Sequence, residues 1–243
     1  MKTKLYLPVL LFTAFAFTSC QKDWFDVVRG SGPVVSEDRS VATYEEVDLS
    51  LPADVYITQG NHERITIEAQ ENVLDVIETE VRNHKLKLRF SNGVSVRRFD
   101  PIKVYITTRN ITEVSVSGAG NIYSDGPIIT NALNIRVSGS GNVDLYDIDT
   151  PVVDASISGS GKVFLSGFCD EQYLHVSGSG DVRAFDLESI DTEVEISGSG
   201  KTEISVEHYL KARISGSGKV YYKGYPDHID SKISGSGGVY HVD

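Results

Sequence analysis

The run Gly198-Ser199-Gly200-Lys201-Thr202 has the ending of a phosphate-binding loop, in which glycine amides cradle phosphates, a lysine reaches the β/γ oxygens and a threonine holds magnesium. The rest of such a loop is missing. Glu195 stands five residues before Gly200 where glycine is required, no helical pattern follows Thr202, and the same corner recurs six times with other residues after it. Nucleotide binding is therefore not expected. Nor does the repeated Ser-Gly-Ser-Gly form the Gly-x-Ser-x-Gly of a nucleophile elbow, which needs a strand-to-helix turn. Seven equivalent serines read as structural. The histidines (His62, His84, His175, His208, His228, His241) show neither His-Glu-x-x-His nor a zinc-ligand spacing with cysteine. Asp144, Asp147 and Asp149 offer hard oxygen ligands of the kind calcium takes, but without an EF-hand frame or a glycine-aspartate nonapeptide they read as a solvated corner. No catalytic set, cofactor or metal site is expected.

Cys20 carries a different chemistry. Lys2 and Lys4, the apolar stretch Leu5 to Phe17 and the small pair Thr18-Ser19 lead up to it, and Gln21, Lys22 and Asp23 follow. That is an export signal, too short to span a bilayer, which needs roughly 20 apolar residues. An ordinary secretory peptide would leave Cys20 incidental, and Phe17 is not the usual residue three before a lipidated cysteine. A lipoprotein signal would make Cys20 the acylated N-terminus, and its flanks favour this second reading. The start Cys-Gln-Lys-Asp resembles the tether that sends some Gram-negative lipoproteins to the outer face of the outer membrane.

Behind these residues stands a repeat, and a fixed period of 20 to 50 residues implies stacked units. Val116-Ser117-Gly118-Ala119-Gly120-Asn121 returns at 137–142, 157–162, 176–181, 196–201, 214–219 and 233–238. The residues just before the motif are all β-branched (Val116, Val137, Ile157, Val176, Ile196, Ile214, Ile233), and mostly apolar residues stand two places earlier. Ser115, Arg136, Ser156, His175, Glu195, Arg213 and Lys232 lie between. After the motif, Ile122, Val143, Val163, Val182, Thr202, Val220 and Val239 face inward and Asn121, Asn142, Lys162, Asp181, Lys201, Lys219 and Gly238 outward. Period two on both sides of a glycine corner means strand, corner, strand. Coils of about 20 residues built this way stack as a right-handed parallel β-helix, each coil pairing with the next about 4.8 Å away.

Gly118, Gly120, Gly139, Gly141, Gly159, Gly161, Gly178, Gly180, Gly198, Gly200, Gly216, Gly218, Gly235 and Gly237 are then structural corners, where positive φ or close backbone packing is needed. The serines beside them could form a hydroxyl ladder along the column or to corner backbone. One outward face is a candidate for binding: Lys162, Asp181, Lys201 and Lys219 alternate in sign between levels 162 and 201, beside the aromatics Tyr123, Phe164, Tyr221 and Tyr240. Such a stripe suits a glycan or protein ligand.

The chain carries 23 basic and 34 acidic residues, a net charge of −11. Removal of residues 1–19 takes away Lys2 and Lys4 and no acid, leaving 21 against 34, or −13. No basic cluster is denser than Arg97-Arg98, so nucleic acid is not an expected partner. Once Cys20 is lipidated, Cys169 has no partner for a disulfide. Residues 1–19 form the signal, 20–27 a tether, 28–110 an N-terminal β region and 111–243 the repeat solenoid. In the N-terminal region Asp54 to Gln59, Ile65 to Ala69, Leu86 to Phe90 and Lys103 to Thr108 read as strands, and Val73 to Val81 as a short helix or a strand. Arg29-Gly30-Ser31-Gly32 looks like a degenerate corner, so this region is expected to continue or cap the solenoid.

With Gly30-Ser31-Gly32, Val55-Tyr56-Ile57-Thr58-Gln59-Gly60, the serial corners and Val220-Tyr221-Tyr222-Lys223-Gly224-Tyr225-Pro226 in view, the chain resembles the auto-transporter adhesin, head GIN domain family over roughly residues 28 to 243. The resemblance implies a right-handed β-helix, no established catalytic residues and an adhesive role. The expectation is thus a non-catalytic outer-membrane lipoprotein, held to the membrane through its lipid and presenting a solenoid face to a glycan or protein. Its rivals are a carbohydrate-active β-helix enzyme, which would show paired carboxylates roughly 5 to 10 Å apart, and a purely structural or stress-related envelope component.

Overall fold

The computed structural model describes residues 26–243. The export segment and Cys20, with the anchoring expectation that falls on them, lie outside the described residues. What is described is a parallel β-solenoid, because alternation in the sequence leaves each coil with one apolar face that only a neighbouring coil can cover. Leu133–Gly139 pairs parallel with the second half of Asn142–Gly159, and the stack continues through Lys162–Gly178, Asp181–Gly198, Lys201–Gly216 and His228–Gly235. The register sets Ser117, Ser138, Ser158, Ser177, Ser197, Ser215 and Ser234 in one column. The β-branched column beside it from Val116 to Ile214 is no more than 3% exposed. The interior is not wholly apolar: Gln172, Ser189 and Thr192 are buried, with the Ser189 and Thr192 hydroxyls 2.6 Å apart and Ser189 donating to the Ser205 carbonyl at 2.8 Å.

The two glycines of each corner serve different needs. The first, as at Gly159, takes positive φ, here 130°, a region that side chains with a Cβ rarely enter. The second approaches the coil below: a Cβ on Gly141 would stand 2.3 Å from the Gly120 carbonyl oxygen and 2.5 Å from Val116 Cγ1. Corner backbone then carries the ladder, with the Ser140 amide donating to the Gly118 carbonyl at 2.8 Å and the Ser160 amide to Gly139 at 2.9 Å. The expected hydroxyl ladder is corrected by this arrangement. The motif serines point outward and are exposed, and among the described residues their hydroxyls make no hydrogen bond to protein; amides already hold the carbonyls that those hydroxyls would have used.

The N-terminal region both continues the solenoid and caps it. Glu46–Leu49 and Ala53–Gln59 form a coil directly against Glu113–Gly118 and Asn121–Ser124. Lys85–Phe90 and Ile102–Thr108 form the level beyond it. Spatial order therefore departs from chain order, since the coil at 46–59 lies between those at 85–108 and 113–124. At the far edge the direction reverses: Arg64–Gln70 pairs antiparallel with Ile102–Thr108, Val34–Arg39 antiparallel with Arg64–Gln70, and Ile77–Arg82 antiparallel with Lys85–Phe90. Antiparallel strands terminate the stack and cover its open edge. The segment 73–81 is divided, with a helical turn Glu71–Leu74 followed by the strand from Ile77.

Arg29-Gly30-Ser31-Gly32 is not a corner of the solenoid. Asp26–Arg29 pairs with Val94–Arg97 in a separate two-stranded sheet, and Gly30 packs against Gln70 and Phe99. Its Gly-Ser-Gly lacks the alternating apolar residues that would have fed a stacked strand. The phosphate-loop look-alike takes the corner role: Thr202 is buried as an inward residue and strand, not helix, follows it.

Candidate functional site

Two outer faces run along the stack. The first is built by the strand after each corner. Pairing places Tyr105, Tyr56, Tyr123, Asp144, Phe164, Arg183, Glu203, Tyr221 and Tyr240 in a single outward column, one residue per coil. Parallel in-register strands bring like side chains to stacking distance. Tyr56 lies between Tyr105 and Tyr123, with ring centroids 5.4 and 5.3 Å away, and Tyr221 stacks on Tyr240 at 5.4 Å. Between these stacks the Arg183 guanidinium sits 5.2 Å over the Phe164 ring, and the Lys201 ammonium 5.0 Å over Tyr221. Burial, then the Asp54 carboxylate, pushes the Tyr123 hydroxyl above its ordinary 10, so it remains a neutral donor at physiological pH.

Beside the aromatics runs the expected polar column, in register from Asn121 through Asn142, Lys162, Asp181, Lys201 and Lys219 to Gly238. Asp181 does lie between Lys162 and Lys201 along the stack. The cross-coil ion pairs suggested by that alternation do not form, because Lys201 turns along its own strand to Glu203. Asn121 instead bridges neighbours, donating to Asp54 at 2.8 Å and accepting from Asn142 at 2.8 Å. Where the aromatic column is interrupted by Asp144, a recess of about 400 Å³ opens between Tyr123 and Phe164, with Asn142, Lys162, Ser140 and Ser160 along it. Among the described residues no three His, Cys, Asp or Glu side chains gather into a ligand set, and Asp147 and Asp149 do not join Asp144 in one.

Sequence reading named Tyr123, Phe164, Tyr221 and Tyr240 but missed Tyr56 and Tyr105. The signal was present: Val55-Tyr56-Ile57 and Val104-Tyr105-Ile106 have the alternation of Ile122-Tyr123, without the preceding Ser-Gly-Ser-Gly that marks the later coils.

The second face belongs to the strand before each corner. A groove of about 670 Å³ follows it, lined by the serine column from Ser138 to Ser234 and by Arg136, His175, Glu195, Arg213 and Lys232. Its charges are largely paired along the sheet. Lys85 reaches Glu46 at 3.0 Å and Glu113 at 2.8 Å, Arg136 also meets Glu113, and Arg213 meets Asp230. Burial pulls the Glu113 carboxyl up, but hydrogen bonds from Lys85 and Arg136 outweigh it and hold the group below 4.5. Exposed pairs of this kind contribute about 0–1 kcal/mol each, so the face is ordered more than stabilised by them.

The chain is thus a β-solenoid with a filled interior and with both of these recesses on its outer ladders. The family described as Putative auto-transporter adhesin, head GIN domain matches residues 43–226, and the chain belongs to it. Solved structures that share the fold include the following three. A putative adhesin from Bacteroides fragilis is 24% identical, with a TM-score of 0.85 over 88% of this chain and 100% of its own. A putative lipid binding protein from Parabacteroides distasonis is 25% identical, with a TM-score of 0.77 over 90% of this chain and 100% of its own. A putative adhesin from Parabacteroides merdae is 23% identical, with a TM-score of 0.73 over 90% and 100%. No protein of curated function matches the chain.

Proposed function

We propose that this protein is a non-catalytic envelope adhesin, anchored in the outer membrane through a lipid on Cys20, that binds a glycan along its aromatic face. The observation that carries this reading is the outward column from Tyr105 to Tyr240, one residue per coil, in which the ring stacks Tyr105-Tyr56-Tyr123 and Tyr221-Tyr240 flank Asp144, Phe164, Arg183 and Glu203. Half-buried rings with an accessible surface match the apolar faces of sugars, and the Asn142, Asp144 and Lys162 side chains between Tyr123 and Phe164 offer donors and acceptors for hydroxyls. A repeating polymer suits a repeating surface, since each further coil adds a contact of the same kind. Membership in an adhesin family supports the same conclusion. The name of the Parabacteroides distasonis relative suggests lipid as another ligand. On this fold a lipid would meet the outer surface, because side chains from Val47 to Val220 fill the interior.

The test is a glycan array probed with the purified full chain, alongside Tyr123→Ala and Phe164→Ala. Binding to a defined set of glycans, weakened at least tenfold by either substitution with the far-UV spectrum unchanged, is the expected result. Binding to a protein partner alone, or glycan binding indifferent to both rings, would sink the proposal.

A further inference from the structure

The two ends of the solenoid are finished differently. At the N-terminal end antiparallel strands close the stack, and Ile65, Ile67, Leu86 and Leu88 are fully buried. At the C-terminal end the last long strand, His228–Gly235, is paired among the described residues on one side only, with Tyr209–Gly216. Ile229 and Ile233 occupy columns whose preceding members, Leu210 and Ile214, are 0% and 3% exposed, yet they are 40% and 41% exposed themselves. Apolar inward residues and a free row of backbone donors and acceptors on an eight-residue strand are what another strand would cover.

We propose that this edge pairs with the same edge of a second copy, His228–Gly235 running antiparallel to its mate about a two-fold axis at Ser231. Two-fold symmetry makes an edge-to-edge strand pair antiparallel, because each copy must see the other as it is seen. The sequence then selects the register. Directly opposed residues share a side of the sheet, so inward Ile229, Ser231 and Ile233 must face inward residues, which excludes every odd offset. An axis at Asp230 would set two aspartates against each other, and an axis at Lys232 two lysines. An axis at Ser231 sets Asp230 opposite Lys232 twice and Ile229 opposite Ile233 twice. The Asp230 carboxylate is already hydrogen-bonded by Arg213 within its own sheet, which holds it on the outer side, while Lys232 makes no ion pair of its own among the described residues. Opposite charges directly across an antiparallel pair are favourable, and like charges there are unfavourable. The union would carry the core column through the interface, with Ile229 of each copy meeting Ile233 of the other.

The experiment uses the full chain carrying Cys20→Ser, in mild detergent; Cys169 is buried and does not compete. Sedimentation equilibrium should show a reversible dimer. Ser231→Cys, at the axis, should give a covalent dimer on mild oxidation, since opposed Cβ atoms lie about 4.5–5.5 Å apart. Ser234→Cys should not, because in this register it lies six residues from its own copy, about 20 Å away at the strand rise. Lys232→Asp, which replaces two attractive pairs with two repulsive ones, should weaken the dimer by about tenfold or more with the spectrum unchanged. A wild-type chain that stays monomeric, or cross-linking as efficient at Ser234→Cys as at Ser231→Cys, would overturn the proposal. Neither outcome bears on glycan binding by the aromatic face, which is complete within one copy.

Discussion

Gly161 lies so close over Val137, one coil below, that a β-carbon on it would stand 2.5 Å from Val137 Cγ1 and 2.4 Å from the Gly141 carbonyl oxygen. Backbone on one side and a β-branched core residue on the other leave nothing that can yield cheaply. Gly161→Ala should therefore destabilise the fold by about 1–3 kcal/mol, the usual cost of overpacking. The adjacent Ser160 hydroxyl is exposed and unbonded to protein, so Ser160→Ala should change stability by no more than about 0.5 kcal/mol. Urea unfolding of the two variants separates these roles; equal effects would return the serines to a structural part.

Tyr56 stacks on two rings, whereas Tyr105, among the described residues, stacks on one, Tyr56 itself. An aromatic pair adds about 0.5–1.5 kcal/mol beyond area burial. Tyr56→Ala should thus cost roughly twice what Tyr105→Ala costs, and the double variant should lose less than the sum because the two share a contact. Strict additivity in urea unfolding would show that the rings stack without coupling.

His208 is linked by Nδ1 to Asp191 at 3.0 Å and lies 3.7 Å from Asp227. The hydrogen bond to Asp191, then the charges of Asp191 and Asp227, raise its pKa above 6.5. A His with a raised folded value stabilises fully below the unfolded value and loses that contribution as pH rises through the folded one, so this link weakens from near pH 6.5 upward. Proton NMR should show His208 titrating above the free value, and Asp191→Asn should bring it down. No movement on that substitution would mean the pair does not persist in solution.

Cys169 is fully buried, and burial pushes its thiol pKa up to about 12. Thiolate is the reactive form, so alkylation at pH 8 should be absent in the folded protein and appear only as urea unfolds it. Fast labelling without denaturant would show that the coil around Cys169 opens.

Much of this architecture is readable in the sequence because a solenoid assigns one column to one position of the repeat. Seven copies fix the inward identity of Val116 through Ile233 and the outward identity of Asn121 through Lys219. Spatial order in the N-terminal region is different in kind. Glu46–Leu49 could have stacked at either end of its neighbours, and which level it takes depends on where Arg64–Gln70 and Ile77–Arg82 reverse to close the stack. The aromatic face was half legible for the same reason, since Tyr56 and Tyr105 enter the column only once those coils are placed. The part of the serine hydroxyls is not legible in the sequence, because a small polar residue beside a corner is compatible with either side of the backbone. Only the amide-to-carbonyl bonds from Ser140 and Ser160 show which groups hold the turn.

Cys20 provides the last prediction, because a face that binds at a distance needs an attachment that leaves it free. A diacylglyceryl thioether would hold the chain at its start, and the capped end of the solenoid, which contains the first described strands, would be the end nearer the membrane. The aromatic column then runs outward, coil by coil, to Tyr240. One acyl chain gives marginal binding and two or more give stable anchoring, so membrane association should depend wholly on Cys20. In fractionated cells the wild-type chain should sediment with outer membrane and be cleaved by protease added to intact cells, while Cys20→Ala should be released as a soluble form. A chain that is membrane-bound but protected from protease would leave its face inside the envelope and refute adhesion to outside surfaces. A Cys20→Ala chain that still sediments with membrane would show that something other than this cysteine holds it there.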